Sequence, residues 1–146
     1  MTDRTMARGR AGVQALAMLA GVTFLLVGAL GFIPGVTTHY GDLSFAGDDS
    51  KSKLVGVFQV SILHNIVHLL FGVVGLSLAR TGSGARTYLL GGGIVYLALW
   101  LLGILDGGNW IPVNSADNWL HLGLGVGLIG LGIVSTRARG LTPAAG

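Results

Sequence analysis

The sequence predicts an all-α membrane protein with four transmembrane helices, built as two parallel hairpin repeats with both termini in the cytoplasm. Three observations predict it. Four apolar runs are long enough to cross a hydrocarbon core, which takes ~20 helical residues. Every arginine falls in a segment that these crossings would place on one side. A polar pattern also recurs inside apolar sequence: Asn65-Ile66-Val67-His68-Leu69 with Gly72, and Asn118-Trp119-Leu120-His121-Leu122 with Gly125.

The runs lie at about 11–33, 58–79, 86–105 and 117–135. They divide the chain into a basic arm (1–10), a transmembrane domain (11–135) and a tail (136–146). Continuous rather than alternating apolar residues favour helices over a barrel. The first run follows Arg4, Arg8 and Arg10, as a signal peptide would. Its apolar stretch is too long for a signal core and no small-residue cleavage site ends it, so it reads as a retained helix. The first external connection, 34–57, holds turn-forming Pro34-Gly35, Gly41-Asp42 and Gly47-Asp48-Asp49-Ser50. Its end, Leu54 to Val60, is expected along the membrane interface. Thr81 to Ala85 reads as a tight turn, and Trp110 and Trp119 sit where an aromatic belt would lie.

Composition agrees with this class. Hydrophobic residues make up 51% of the 146, and charged residues 10%, far below the share of a soluble domain. Glycine reaches 26 residues among Leu, Val and Ile, which points to close helix packing rather than disorder. With no cysteine, disulfides, thiolate metal sites, iron–sulfur clusters and cysteine nucleophiles are all excluded.

The pI near 9.8 is a topology signal more than a nucleic-acid signal. Arg4, Arg8, Arg10, Arg80, Arg86, Arg137 and Arg139 share one side, which is therefore cytoplasmic. The other side has Lys51 and Lys53 with Asp42, Asp48, Asp49, Asp106 and Asp117. This is the arrangement of a multi-pass plasma-membrane protein. Its partners are the bilayer, anionic headgroups, and a second copy or a larger membrane complex, with no nucleic acid.

At an offset of 53, Asn65 matches Asn118, His64 matches Asp117, His68 matches His121 and Gly72 matches Gly125. Gly31 and Gly35 flank the outer end of the first helix, as Gly103 and Gly107 flank the third. These six glycines are assigned to helix packing. Each half is then a hairpin, and the two are related by an axis along the membrane normal. Residues four apart share a helix face, so His64 and His68 point one way, as do Asp117 and His121. The expected polar centre is His64, Asn65, His68, Asp117, Asn118 and His121, in the outer third of the membrane, with helices two and four facing each other.

Three readings of that centre compete. In the structural one, Asn and His hydrogen-bond across helices and fix register, each bond being worth only ~0.6 kcal/mol in a membrane. In the second, His68 and His121 ligate a haem b for electron transfer. In the third, His64, His68, His121 and Asp117 hold a divalent metal or handle protons, with Asp117 alternatively orienting His121. No cofactor is required by the first. His39 reads as a surface residue, Gly91-Gly92-Gly93 as close packing or a kink, and Tyr96 and Trp100 as packing aromatics. No serine sits in a nucleophile elbow, so an enzyme reading finds no support and a non-enzymatic interaction or assembly role stands first.

Gly56-Val57-Phe58-Gln59-Val60-Ser61-Ile62-Leu63-His64-Asn65-Ile66-Val67-His68 through Gly72, and Asp117 through Gly125, resemble the bacterial membrane family known as domain of unknown function 4383, found largely in actinobacteria. The likeness runs from about Gly12 to Val134 and includes Gly28 to Gly35. Ser61-Ile62-Leu63 stands where the family often has a proline before the first histidine. The resemblance implies a small four-helix inner-membrane protein and no particular activity.

Overall fold

The computed structural model describes the backbone of residues 2–47, 49–106 and 113–140, and side chains within 9–135 except at 10, 48 and 106–112. The element order is α1 (Thr2–Leu30), β1 (Thr37–Thr38), a 3-10 turn (Tyr40–Asp42), β2 (Lys53–Leu54), β3 (Phe58–Gln59), α2 (Ile62–Leu78), α3 (Gly82–Asp106) and α4 (Ser115–Gly140). Among the described residues, three helices contain stretches long and apolar enough to cross a membrane: Ala11–Leu30, Gly82–Leu105 and Ser115–Ser135. The fourth helix, α2, is equally apolar but has 17 residues. That length rises about 25 Å, against a hydrocarbon core of ~30 Å.

Several boundaries differ from those expected. The basic arm is continuous with α1, whose helix begins at Thr2. Helix α1 stops at Leu30 rather than at 33 because Thr37 Oγ1 caps it, bonding the carbonyls of Leu30 and Gly31, each at 3.2 Å. Helix α2 begins four residues later than the apolar run, at Ile62, where Ser61 Oγ accepts the His64 amide at 3.1 Å as an N-cap. Helix α3 begins inside the expected turn, because Thr81 Oγ1 accepts the Gly84 amide and starts the helix there. A side chain at Gly84 would meet the Leu78 carbonyl, so only glycine allows this close reversal. Helix α4 starts at Ser115 and runs into the tail as far as Gly140. Trp110 and Asp48 lie outside the described residues.

The segment Leu54 to Val60 takes part in a small antiparallel sheet, in the order β1-β2-β3. Its register pairs Thr37 with Leu54 and Lys53 with both Thr38 and Gln59. The β2–β3 turn carries Val55 (φ 47) and Gly56 (φ 74). Positive φ suits the glycine, but for a β-branched valine it is a strained outlier. Ser50 and Ser52 are fully buried and tie the rest of the connection to this sheet, donating to the carbonyls of Val60 (2.6 Å) and His39 (2.7 Å).

Packing is most extensive within the pairs α1–α2 and α3–α4. Gln14 Nε2 of α1 closes the end of the first pair away from the sheet, donating to the carbonyls of Ala79 (3.1 Å) and Arg80 (2.8 Å). The pairs meet over a core of Ala17, Phe24, Tyr88, Leu89, Tyr96 and Leu128. Its aromatic rings form a chain: Tyr88 lies 5.0 Å from Phe71, Phe71 5.0 Å from Phe24, and Phe24 stacks 5.4 Å from Tyr96. This chain leads from α3's start to the histidines.

Candidate functional site

At the sheet end of the helices, His64 and His68 of α2, Tyr96 of α3, and Asp117 and His121 of α4 line one cavity of about 260 Å³. Helix α1 supplies Val27 and Leu30, and the sheet supplies Leu54, Val55 and Phe58 as the outer wall. His64 and His68 are one turn apart and stack at 4.4 Å with 7° between their planes. His68 Nδ1 lies 3.0 Å from the His64 carbonyl. A carbonyl only accepts, so this nitrogen carries the proton and Nε2 keeps the lone pair of the neutral ring. Tyr96 Oη is 3.4 Å from that Nε2, so its hydroxyl donates there, and the Tyr96 ring lies 5.3 Å from the His121 ring. Tyr96 is thus the contact that links α2 to α4. One signal for it is readable in the sequence: a hydroxyl in mid-span needs a partner.

Asp117 serves its own helix end. Its Oδ2 accepts the Asn114 amide at 3.0 Å while Asn114 Oδ1 accepts the Asp117 amide at 3.0 Å, a reciprocal cap of α4. The same Oδ2 accepts the Gln59 amide of β3 at 2.9 Å, and Asn114 Nδ2 donates to the Val57 carbonyl at 2.7 Å. The carboxylate therefore clips the sheet onto α4 rather than orienting His121.

The asparagines do not join the histidines. Asn65 is fully buried against α1, where a Cβ at Gly31 would fall on its carboxamide. Asn118 meets Gly103 of α3 in the same way. Both carboxamide atoms of Asn65, and Asn118 Oδ1, lack a conventional hydrogen-bond partner. For the two oxygens, the polarised Cα–H of the glycine in van der Waals contact is the available weak donor. Gly72 faces Gly21 and Leu25, and Gly125 faces Gly93 and Leu97, so neither opens space beside a histidine. Gly35 is a turn residue (φ 92) with no atom near its side-chain position, not a packing glycine, and Gly107 lies outside the described residues. Gly92 and Gly93 are packed against Phe71 and Ile129, and α3 runs through all three glycines as one helix. His39 is exposed in the connection, with φ 51.

Among the described residues, no group of three or more His, Cys, Asp and Glu side chains converges to hold a metal ion. A haem ligated by His68 would use Nε2, the nitrogen beside Tyr96 Oη, so the tyrosine would first have to move away. As it stands, the site joins a bonded His68–Tyr96 pair, the capping carboxylate of Asp117 and the ring of His121 around a small, largely apolar space.

Neither a curated protein nor a solved structure matches the chain. The family model described as Domain of unknown function (DUF4383) matches residues 14–134, from the first turns of the α1 span to the last turns of the α4 span, and the chain belongs to that family.

Proposed function

We propose that this is a multi-pass plasma-membrane protein that crosses four times, with both termini cytoplasmic, and acts as a non-enzymatic assembly component. Helix α2 completes its crossing with the ordered Val60-Ser61 entry beneath the sheet. The arginines at both ends and in the 80–86 connection support the orientation.

One observation carries the assembly reading. Gly123, Gly127 and Gly130 of α4 are exposed, with nothing within 4 Å of a side-chain position. Their spacing of four and three places them on one outward face. Glycine weakens a helix by ~1 kcal/mol relative to alanine, so a row of it without internal contacts calls for another explanation. In lipid, where apolar surface gains nothing by leaving the tails, small residues that let two backbones approach drive association. The equivalent positions of α2 are Leu70, Val74 and Ser77, so the smooth face belongs to α4 alone. We place the contact with a second copy or a larger membrane complex there.

The test is Gly127→Leu, made alone and with Gly123→Leu, in protein reconstituted into bilayers at increasing lipid dilution. The wild type should associate, by cross-linking or single-molecule colocalisation, and the variants should be monomeric with unchanged helix content. Equal association of variant and wild type would remove this face from the proposal.

A further inference from the structure

We infer that the cavity beneath the sheet is a binding site for an uncharged amphiphile, with a hydrogen-bonding head among His68, Tyr96 and His121 and an apolar tail that leaves past Leu120. This rests on the cavity and not on the assembly face of α4.

The lining sets the chemistry. The walls are Val27, Leu30, Phe58, Val60, Leu120 and Leu124, and among the described residues no lysine or arginine lines the cavity. The single carboxylate, Asp117, already accepts two backbone amides through Oδ2. An anionic head would find no basic group among these lining residues, and a cationic one would find the carboxylate already bonded, so either would enter at a large desolvation penalty. A carbonyl or hydroxyl head carries no charge to desolvate: His121 has an unpaired ring nitrogen for it, and Tyr96 Oη, which already donates to His68, can still accept from a hydroxyl.

His121 supplies the second, independent observation. It is 5% exposed, its ring lines the cavity, and its Nδ1 has no hydrogen-bond partner. A neutral imidazole carries one donor and one acceptor, and leaving either unmet in an apolar interior is costly. A half-turn of the ring exchanges its two sides, so that a head group in the cavity can satisfy it.

Size fixes how much of the molecule is held. Drug-sized ligands fill ~300–1,000 Å³, so about 260 Å³ takes a head group and little more. The cavity is partly open, and its most exposed lining residues are Val55, at 60%, and Leu120, at 42%, so we place its mouth beside them. Leu120 lies in the membrane-crossing part of α4, which directs the tail toward lipid.

The chain has four histidines, and three of them line this cavity. The imidazole nitrogen spectrum of histidine-labelled protein in lipid nanodiscs therefore reads the site directly, with His39 in the connection as internal reference. Menadione, with ring carbonyls, and 1-decanol, with a hydroxyl on a chain, are the neutral probes. Decanoate is the charged control. At least one neutral probe should shift His121 and His68 saturably while His39 stays in place, and decanoate should not. Which of the two saturates tells a ring-carbonyl head from a lipid hydroxyl. Leu120→Trp, at an exposed position that leaves packing intact, should block the mouth and abolish the shifts. His121→Phe should weaken binding roughly tenfold, the upper end of what one hydrogen bond contributes. Saturation by neither neutral probe, equal saturation by decanoate, unchanged shifts in Leu120→Trp, or unweakened binding by His121→Phe would each overturn the inference.

Discussion

Gly31 and Asn65 act as one unit, because the carboxamide occupies the space that any side chain at 31 would need. Gly31 does not have a positive φ, so its backbone would accept alanine and the obstacle is steric alone. Gly31→Ala should destabilise by about 1–3 kcal/mol, the range for overpacking a filled interior. In Gly31→Ala/Asn65→Ala the carboxamide is gone, and most of that loss should return. The double-mutant cycle, by unfolding in detergent, should then show coupling of ~1 kcal/mol or more. Additive losses would mean that the asparagine is not what excludes the side chain. The repeated Asn and His were legible in the sequence, but their grouping was not. Asn65 follows His64 by one residue, which is about 100° round the helix, and so it meets α1 while the histidines face the cavity. Spacing along one helix gives the angle between two side chains and leaves open which neighbour each will meet.

The sheet and α4 are joined by a few bonds that converge on Asp117, so the connection 34–61 behaves as an element and not as loose loop. Replacing Asp117 with Ala removes the acceptor for both the Asn114 and Gln59 amides. The expected cost is about 1–2 kcal/mol, as for loss of an N-cap. Hydrogen exchange should locate it: the Gln59 amide and the first turn of α4 should exchange faster, with the middle of α3 unchanged. Asp117→Asn keeps an acceptor oxygen and should fall between the two. Exchange at Gln59 as slow as in the wild type would show that the strand pairing alone protects it. Hydropathy was enough to locate four helices, because a long apolar run has few other outcomes in lipid. The sheet was hidden for the opposite reason. Its strands are two residues each, too short for any alternation, and their partners lie as far apart as Thr37 and Leu54. The helix ends moved by a few residues wherever a polar cap such as Thr37, Ser61 or Thr81 acts across the connection instead of within the apolar run.

The proposed duplication makes a claim about the whole molecule: the two hairpins should be held by the same crossing. In the first, Gly21 and Gly72 approach each other, with Leu25 and Leu76 beside them. In the second, Gly93 and Gly125 do so, with Leu97 and Ile129. Each α1 residue corresponds to one 72 positions later in α3, and Gly31 and Gly103 keep the same interval. The two crossings are tight on opposite sides. A Cβ at Gly72 would lie 2.7 Å from the Gly21 carbonyl oxygen, and one at Gly125 3.1 Å from that of Gly93. Conversely, a Cβ at Gly21 would lie 3.1 Å from the Gly72 carbonyl oxygen, and one at Gly93 2.8 Å from that of Gly125. Backbone cannot swing aside as a side chain can, so the shorter approach should cost more. Alanine should therefore hurt more at Gly72 than at Gly125, and more at Gly93 than at Gly21. All four losses should fall within about 1–3 kcal/mol in unfolding measurements. Gly72→Ala and Gly125→Ala should add when combined, since they lie in different hairpins with no shared partner. Near-zero effects in one hairpin alone would mean that its glycines do not set the crossing, and the two halves would then share a sequence pattern without sharing the packing that gives it physical meaning.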